Sequence, residues 1–250
     1  IVDTGVDLDH SDLEDNLWIN PGEDLNGDGV IQNNERNDED DDRNGYVDDF
    51  YGWDFYAGDD TPNDVSGHGS HCSGIACAVT NNRRGIASPG FECSIMAVRA
   101  GTGMVVTHGY NGIDYAVRNG AKVISCSWGG QGRNGTTDRV IDYAWQNDVL
   151  VVASAGNDNR DDNFYPAGYE TVLSVAATDR QDRKAGFSNF GEWVDISAPG
   201  VAILSTVPGN GYNYMQGTSM SGPLVAGAAI LLRSTYPHLS AEESFALMLD

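Results

Sequence analysis

Four short apolar runs, at residues 95–98, 123–126, 150–153 and 172–176, constrain the fold most. None alternates apolar with polar residues, so both faces of each strand need cover. Between them lie segments with helical spacing. Residues 110–118 set Ile113, Ala116 and Val117 on one face, and residues 137–146 do the same with Val140, Ile141 and Ala144. Further helices are predicted over 71–79, 225–232 and 241–249. Strands alternating with helices predict an α/β fold of three layers, a mostly parallel central sheet with helices on both faces.

In such sheets the chemistry sits at the carboxyl ends of the strands. The polar and glycine-framed strings of this chain fall there. Asp3 follows Ile1-Val2, Ser127-Trp128-Gly129 follows the run at 123–126, and Ser154-Ala155-Gly156-Asn157 follows that at 150–153. His68 opens one predicted helix, and Ser219 precedes the buried one at 225–232, where the positive end of a helix dipole favours an oxyanion. A serine hydroxyl is a poor nucleophile unless a base takes its proton, and the base works best when a carboxylate orients it. Asp, His, Ser is one of the few chain orders known for that triad.

The bulk properties bound the partners. A length of 250 residues with 40% hydrophobic and 20% charged residues is that of a core-forming globular chain. No run of about 18 apolar residues exists, so no membrane span is expected. The net charge of −23 repels nucleic acid, which is excluded as a partner. Residues 1–250 read as one catalytic domain, cut from a longer precursor at both ends and so expected to fold poorly alone, with an acidic insertion at about 20–50. The four cysteines are too few for a disulfide scaffold. Cys126 reads as a buried thiol, and whether Cys77 pairs with Cys93 stays open.

Five strings, I-V-D-T-G, G-H-G-S-H-C-S-G, K-V-I-S-C-S-W-G-G, A-S-A-G-N-D and G-T-S-M-S-G-P, occur in one order along nearly the whole chain. The chain resembles the subtilases, the subtilisin-like serine peptidases, and is most similar to thermitase-like members with a calcium-binding insertion. The resemblance implies Ser219 as nucleophile, His68 as general base and then acid, and Asp3 as its orienting partner. Asn157 and the backbone N–H of Ser219 would form the oxyanion hole. Ser127, Trp128 and Gly129 with Ser154, Ala155 and Gly156 would wall the primary specificity pocket, and Tyr165-Pro166 would be a cis-proline beside it. Phe164 stands where relatives often have a smaller residue, so a shallower pocket is expected. The segment at 100–107 is short and should border the substrate.

Singly, each residue has a plainer reading: Asp3 a strand-end turn residue, Ser219 a helix cap, Asn157 a turn cap, Met220 core filler. Their joint occurrence overrides these. His71 reads as a structural histidine. Asn134-Gly135-Thr136 is a glycosylation sequon.

The acidic insertion reads as cation-binding, against the alternative of a solvated acidic surface. Asp24, Asn26, Asp28 and Glu35 fill positions one, three, five and twelve of an EF-hand loop, with Gly29 at its turn and the carbonyl of Val30 at position seven. Pro21-Gly22 upstream leaves no room for an entering helix. A second loop offers Asp40, Asp42, Asn44, the carbonyl of Tyr46, and Asp49. By the resemblance, Asp54, Asp59, Thr61 and Asn63 would form a third calcium site. Asp12 and Asn82, with the carbonyls of Val79, Arg84 and Ile86, would form a fourth. The expected whole is a calcium-stabilised serine endopeptidase acting on polypeptides. By the resemblance it would be extracellular or in the secretory compartment, monomeric, and made with its own propeptide as folding aid and inhibitor. Two rivals are a catalytically silent calcium-dependent binding module on the same fold, and an esterase. The esterase lacks G-x-S-x-G, since Ser221 stands at the last glycine position.

Overall fold

The structure, a computed structural model, describes residues 1–103 and 105–250; Met104, within the segment expected to border the substrate, lies outside the described residues. The strands are β1 (Val2–Asp3), β2 (Gly52–Asp54), β3 (Ala97–Arg99), β4 (Gly101–Thr102), β5 (Val105–Val106), β6 (Val123–Cys126), β7 (Leu150–Ser154), β8 (Val172–Thr178), β9 (Ile196–Pro199), β10 (Ile203–Val207) and β11 (Gly211–Met215). The helices are α1 (His68–Cys77), α2 (Gly109–Arg118), α3 (Gly135–Gln146), α4 (Thr218–Thr235) and α5 (Ala241–Leu249). Seven strands form one sheet in the order β2-β3-β1-β6-β7-β8-β9, paired in parallel throughout.

Two-sided burial explains the unbroken apolar runs. Along β7, Val151 and Ala153 turn to the face covered by Ile113 and Ala116 of α2 and by Ile141 and Ala144 of α3. Leu150 and Val152 turn to the other face, under Val225, Ala226 and Ala229 of α4 and Ala241 of α5. This is the predicted three-layer α/β arrangement. α1 joins the α4 side, where Cys72 and Ile75 pack on Met220.

The boundaries differ from expectation where backbone partners intervene. The run at 95–98 enters the sheet only at Ala97, because Ile95 pairs with the chain near Leu17: its N–H donates to Asn16 O at 2.6 Å and its carbonyl accepts from Trp18 N at 2.9 Å. α1 starts at His68, ahead of the predicted residue 71, since Asp64 receives the N–H groups of its entry, Ser66, Gly67 and Ser70, at 2.8 to 2.9 Å. Asn134, the sequon residue, is the N-cap of α3 in a capping box with Thr137. Cys77 and Cys93 form a disulfide, and Cys72 and Cys126 are free and buried. The acidic insertion holds no helix or strand, yet it is anchored. The Tyr46 ring lies 5.0 Å from that of Trp53 on β2 and 4.9 Å from that of Tyr115 on α2.

Candidate active site

Parallel β1 ends in Asp3, which is 1% exposed. Its Oδ1 accepts from Thr4 N at 2.8 Å and faces His68 Nδ1 at 2.7 Å. His68 is the first residue of α1, held close because Gly69 lies against β1: a Cβ there would sit 2.1 Å from Gly5 O. Asp3 raises the pKa of His68 above its ordinary value of 6.5, against the opposing cost of burial. With Nδ1 held by the carboxylate, the other ring nitrogen is left for proton transfer.

Ser219 lies in the first turn of α4. Pro223, four residues on, has no N–H to give back to the Ser219 carbonyl. That oxygen instead accepts from Ser127 Oγ at 3.1 Å and from Cys72 Sγ at 3.4 Å. Ser154 Oγ donates to the Thr218 carbonyl at 2.8 Å. Two serines expected to wall the substrate pocket thus turn their hydroxyls to the helix that carries Ser219. Burial pushes the Cys72 thiol up, so it stays protonated. The Ser219 hydroxyl donates to Ser127 O at 3.3 Å.

Asn157, at the end of β7, is fixed through its side-chain oxygen, which accepts from Thr218 N at 2.8 Å and Thr218 Oγ1 at 3.1 Å. Its amide nitrogen and Ser219 N border one small space beside Gly217. A Cβ on Gly217 would lie 3.5 Å from the first and 3.6 Å from the second. His68, Ser219, Asn157, Trp128, Gly156 and Phe164 line one cleft of about 430 Å³. Phe164 spans its two walls: a Cβ on Gly129 would lie 2.4 Å from its Cε1, and one on Gly156 would lie 3.2 Å from its Cδ1. Ala155, behind the cleft, is fully buried and its carbonyl accepts from Asn189 Nδ2 at 2.8 Å. Tyr165–Pro166 is cis.

Comparison with known proteins bears on this arrangement. The profile of the Subtilase family matches residues 1–250. The chain belongs to the subtilase family. Thermitase of Thermoactinomyces vulgaris is 48% identical over 189 residues, 73% of this chain and 67% of thermitase. A thermophilic serine proteinase of Bacillus sp. (strain AK1) is 41% identical over 238 residues, 94% of this chain; the match spans about half, 51%, of that proteinase. The crystal structure of a cold adapted subtilisin-like serine proteinase superposes with a TM-score of 0.76 at 28% identity, covering 98% of this chain and 78% of the other. As a subtilase, this chain is a subtilisin-like serine endopeptidase in class, and its substrates are polypeptides. No helix among the described residues is long and apolar enough to cross a membrane.

Some residues that hold the subtilase site were not singled out from the sequence. Asp64, 4% exposed, binds the start of α1 and also accepts from Thr4 Oγ1 at 3.1 Å and Ser70 Oγ at 2.8 Å, so one carboxylate ties β1 to α1. Asn189 fastens the wall at 154–156 through the Ala155 carbonyl and the amides of Asp158 and Arg160. Asp64 had a signal, an acid four residues ahead of a helix start; Asn189 had none. His71 is buried with Nε2 3.0 Å from Asn213 O, and burial lowers its pKa, as a structural histidine requires.

The proposed cation ligands fall into four places. In the first loop Asp24 accepts from Gly27 N and Gly29 N at 2.9 and 2.8 Å, Asn26 from Asp28 N at 2.8 Å, and Asp28 from Val30 N at 2.9 Å. Glu35, fully buried, closes the loop by accepting from Asn26 N and Gln32 N. In the second, Asp40 accepts from Asn44 N and Gly45 N, Asp42 from Asn44 N, and Asn44 from Tyr46 N. Asp49 is fully buried and accepts from Tyr115 Oη, Asn20 Nδ2 and Asn44 Nδ2; burial lifts its pKa to about 6. At the third place Asp54 faces Arg99 Nη1 at 2.7 Å, Thr61 turns to Asp60, and Asn63 accepts from Leu8 N. Asp59 there accepts from Thr61 N at 3.0 Å. At the fourth, Asp12 gathers Asn82 Nδ2 at 2.6 Å, Ile86 N at 3.0 Å and Tyr212 Oη at 3.2 Å, with Arg84 N on Asn82 Oδ1 and Val79 N on the Asp12 carbonyl.

Proposed function

We propose that this subtilase cleaves peptide bonds through an acyl-enzyme on Ser219. The observation that carries the reading is the 2.7 Å contact of buried Asp3 with His68, which lines one cleft with Ser219 and Asn157. In this reading the Ser219 hydroxyl, which donates to Ser127 O in the structure, turns to His68 across the cleft that both line. His68 removes the proton as Oγ attacks the carbonyl carbon, and Asp3 stabilises the imidazolium formed. The negative oxygen is met by Asn157 Nδ2 and Ser219 N. The carbon–nitrogen bond breaks as His68 returns the proton to the amine, and water, activated by the same base, frees Ser219. Phe164 across the pocket favours small residues before the cleaved bond.

The insertion binds calcium in this reading and ties loop to sheet: its donors are hard oxygens, three of its carboxylates, Glu23, Glu35 and Asp49, are fully buried, and its aromatic anchors sit on β2 and α2. The Cys77–Cys93 disulfide supports an oxidising, extracellular or secretory setting. A propeptide and a monomeric state follow from the family resemblance. The test is hydrolysis of peptide anilides by the wild type and Ser219→Ala. Turnover that survives in the variant at the wild-type rate would exclude the mechanism.

A further inference from the structure

We infer that the cation held by the second acidic loop is completed by Glu23, a residue outside that loop, so that the two loops form one fused binding unit. The inference rests on the calcium reading above. Counted on the EF-hand scheme from Asp40, the twelfth position of the second loop is Tyr51, where the first loop has Glu35. The second loop therefore lacks a carboxylate at the twelfth position, although it carries Asp49 at the tenth. Glu23 supplies a further carboxylate. It directly precedes Asp24, the first ligand of the other loop, and the structure folds it back across the second.

Glu23 is fully buried. Its Oε1 accepts from Asp41 N at 3.2 Å, and its Oε2 is buried with no hydrogen-bond partner. One carboxylate oxygen each of Glu23, Asp42 and Asp49 lies within 4.8 Å of the others. Oxygens bound to one calcium at about 2.3–2.6 Å are at most about 5 Å apart, so the three fit around a single ion. None of the seven ion pairs among the described residues involves any of them. The hydrogen bonds that reach Asp42 and Asp49 come from neutral groups, the amides of Asn20 and Asn44 and the Tyr115 hydroxyl. Neutral donors spread the charge of three crowded carboxylates but do not cancel it. A divalent cation does, and it also gives Glu23 Oε2 its missing partner. Because Tyr115 is on α2, the ion would fix the insertion to the body of the fold.

The test is calcium binding by equilibrium dialysis, with melting temperatures in calcium and in chelator, for the wild type, Glu23→Gln and Asp42→Asn. Each variant should lose one calcium equivalent or bind it at least about tenfold more weakly, while Glu35→Gln loses a different one. Removing one like charge should make Glu23→Gln melt higher than the wild type in chelator and lower in calcium. A purely structural role would shift both melts the same way. Unchanged stoichiometry and affinity in Glu23→Gln, or shifts of one sign in both solutions, would overturn the inference. If Glu23→Gln does not fold, the same outcomes are read from Asp42→Asn. A wild type that binds no calcium overturns the calcium reading itself.

Discussion

Asp3 acts on His68 in two ways, through orientation and through charge. Replacing it by Asn keeps the shape and removes the charge that raises the His68 pKa. The base is then neutral at lower pH. In Asp3→Asn the acid limb of kcat/KM should therefore move to lower pH, while kcat falls by about 10⁴, as in serine peptidases with the same substitution. A pH–rate profile of the variant checks both; an unmoved acid limb would separate Asp3 from His68. Asn157→Ala should lower kcat about 100- to 1000-fold with little change in KM, a magnitude taken over from subtilisins themselves. At this scale Asp3, His68, Ser219 and Asn157 were legible as candidates because each stands in a short string at a strand end or a helix start. Glu23, Asn189 and Asp64 were not picked out. A buried carboxylate or amide is defined by what surrounds it: the hydrogen-bond partners of Glu23 and Asn189 lie 18 to 34 residues away. Asp64 had its signal ahead of the helix start, and only its tie to Thr4, 60 residues back, was out of reach.

Elements position these residues through backbone accounting. α4 is the clearest case, since Pro223 frees the Ser219 carbonyl and Ser127 and Cys72 take it up. The pocket lies between the ends of β6 and β7, and Phe164 closes across it. Phe164→Ala should open that space and raise kcat/KM for substrates with a large aromatic residue before the cleaved bond. About 1–3 kcal/mol of discrimination, or roughly 10- to 200-fold, is the scale for filling such a pocket. A panel of peptide anilides reads this out, and an unchanged preference would remove Phe164 from specificity. The central strands were legible from their apolar runs, and α2 and α5 nearly to the residue. β9, β10 and β11 were not: β9 has the mixed sequence Ile-Ser-Ala-Pro, and the hairpin carries exposed Tyr212 and Tyr214, so neither has a clean period. Ile95 left its expected strand because the chain near Leu17 offered it a different partner.

At the scale of the molecule, a cleft built on a rigid parallel sheet meets an insertion that has no helix or strand of its own. Its order rests on side-chain-to-amide bonds, three aromatic rings and, in the account given above, bound calcium. Chelation should lower the melting temperature by several degrees and speed self-cleavage, and added calcium should restore both. Calorimetry in chelator, with electrophoresis over time, checks this, and an unchanged melt would leave the insertion without a cation role. The central claim is that Asp3, His68 and Ser219, drawn from three distant parts of the chain, act as one catalytic unit. The most direct measurement is labelling of the folded protein with a fluorophosphonate, followed by peptide mapping. The account predicts stoichiometric modification at Ser219, slowed by orders of magnitude in His68→Ala. A label spread over other serines, or one on Ser219 that forms equally fast without His68, would contradict it.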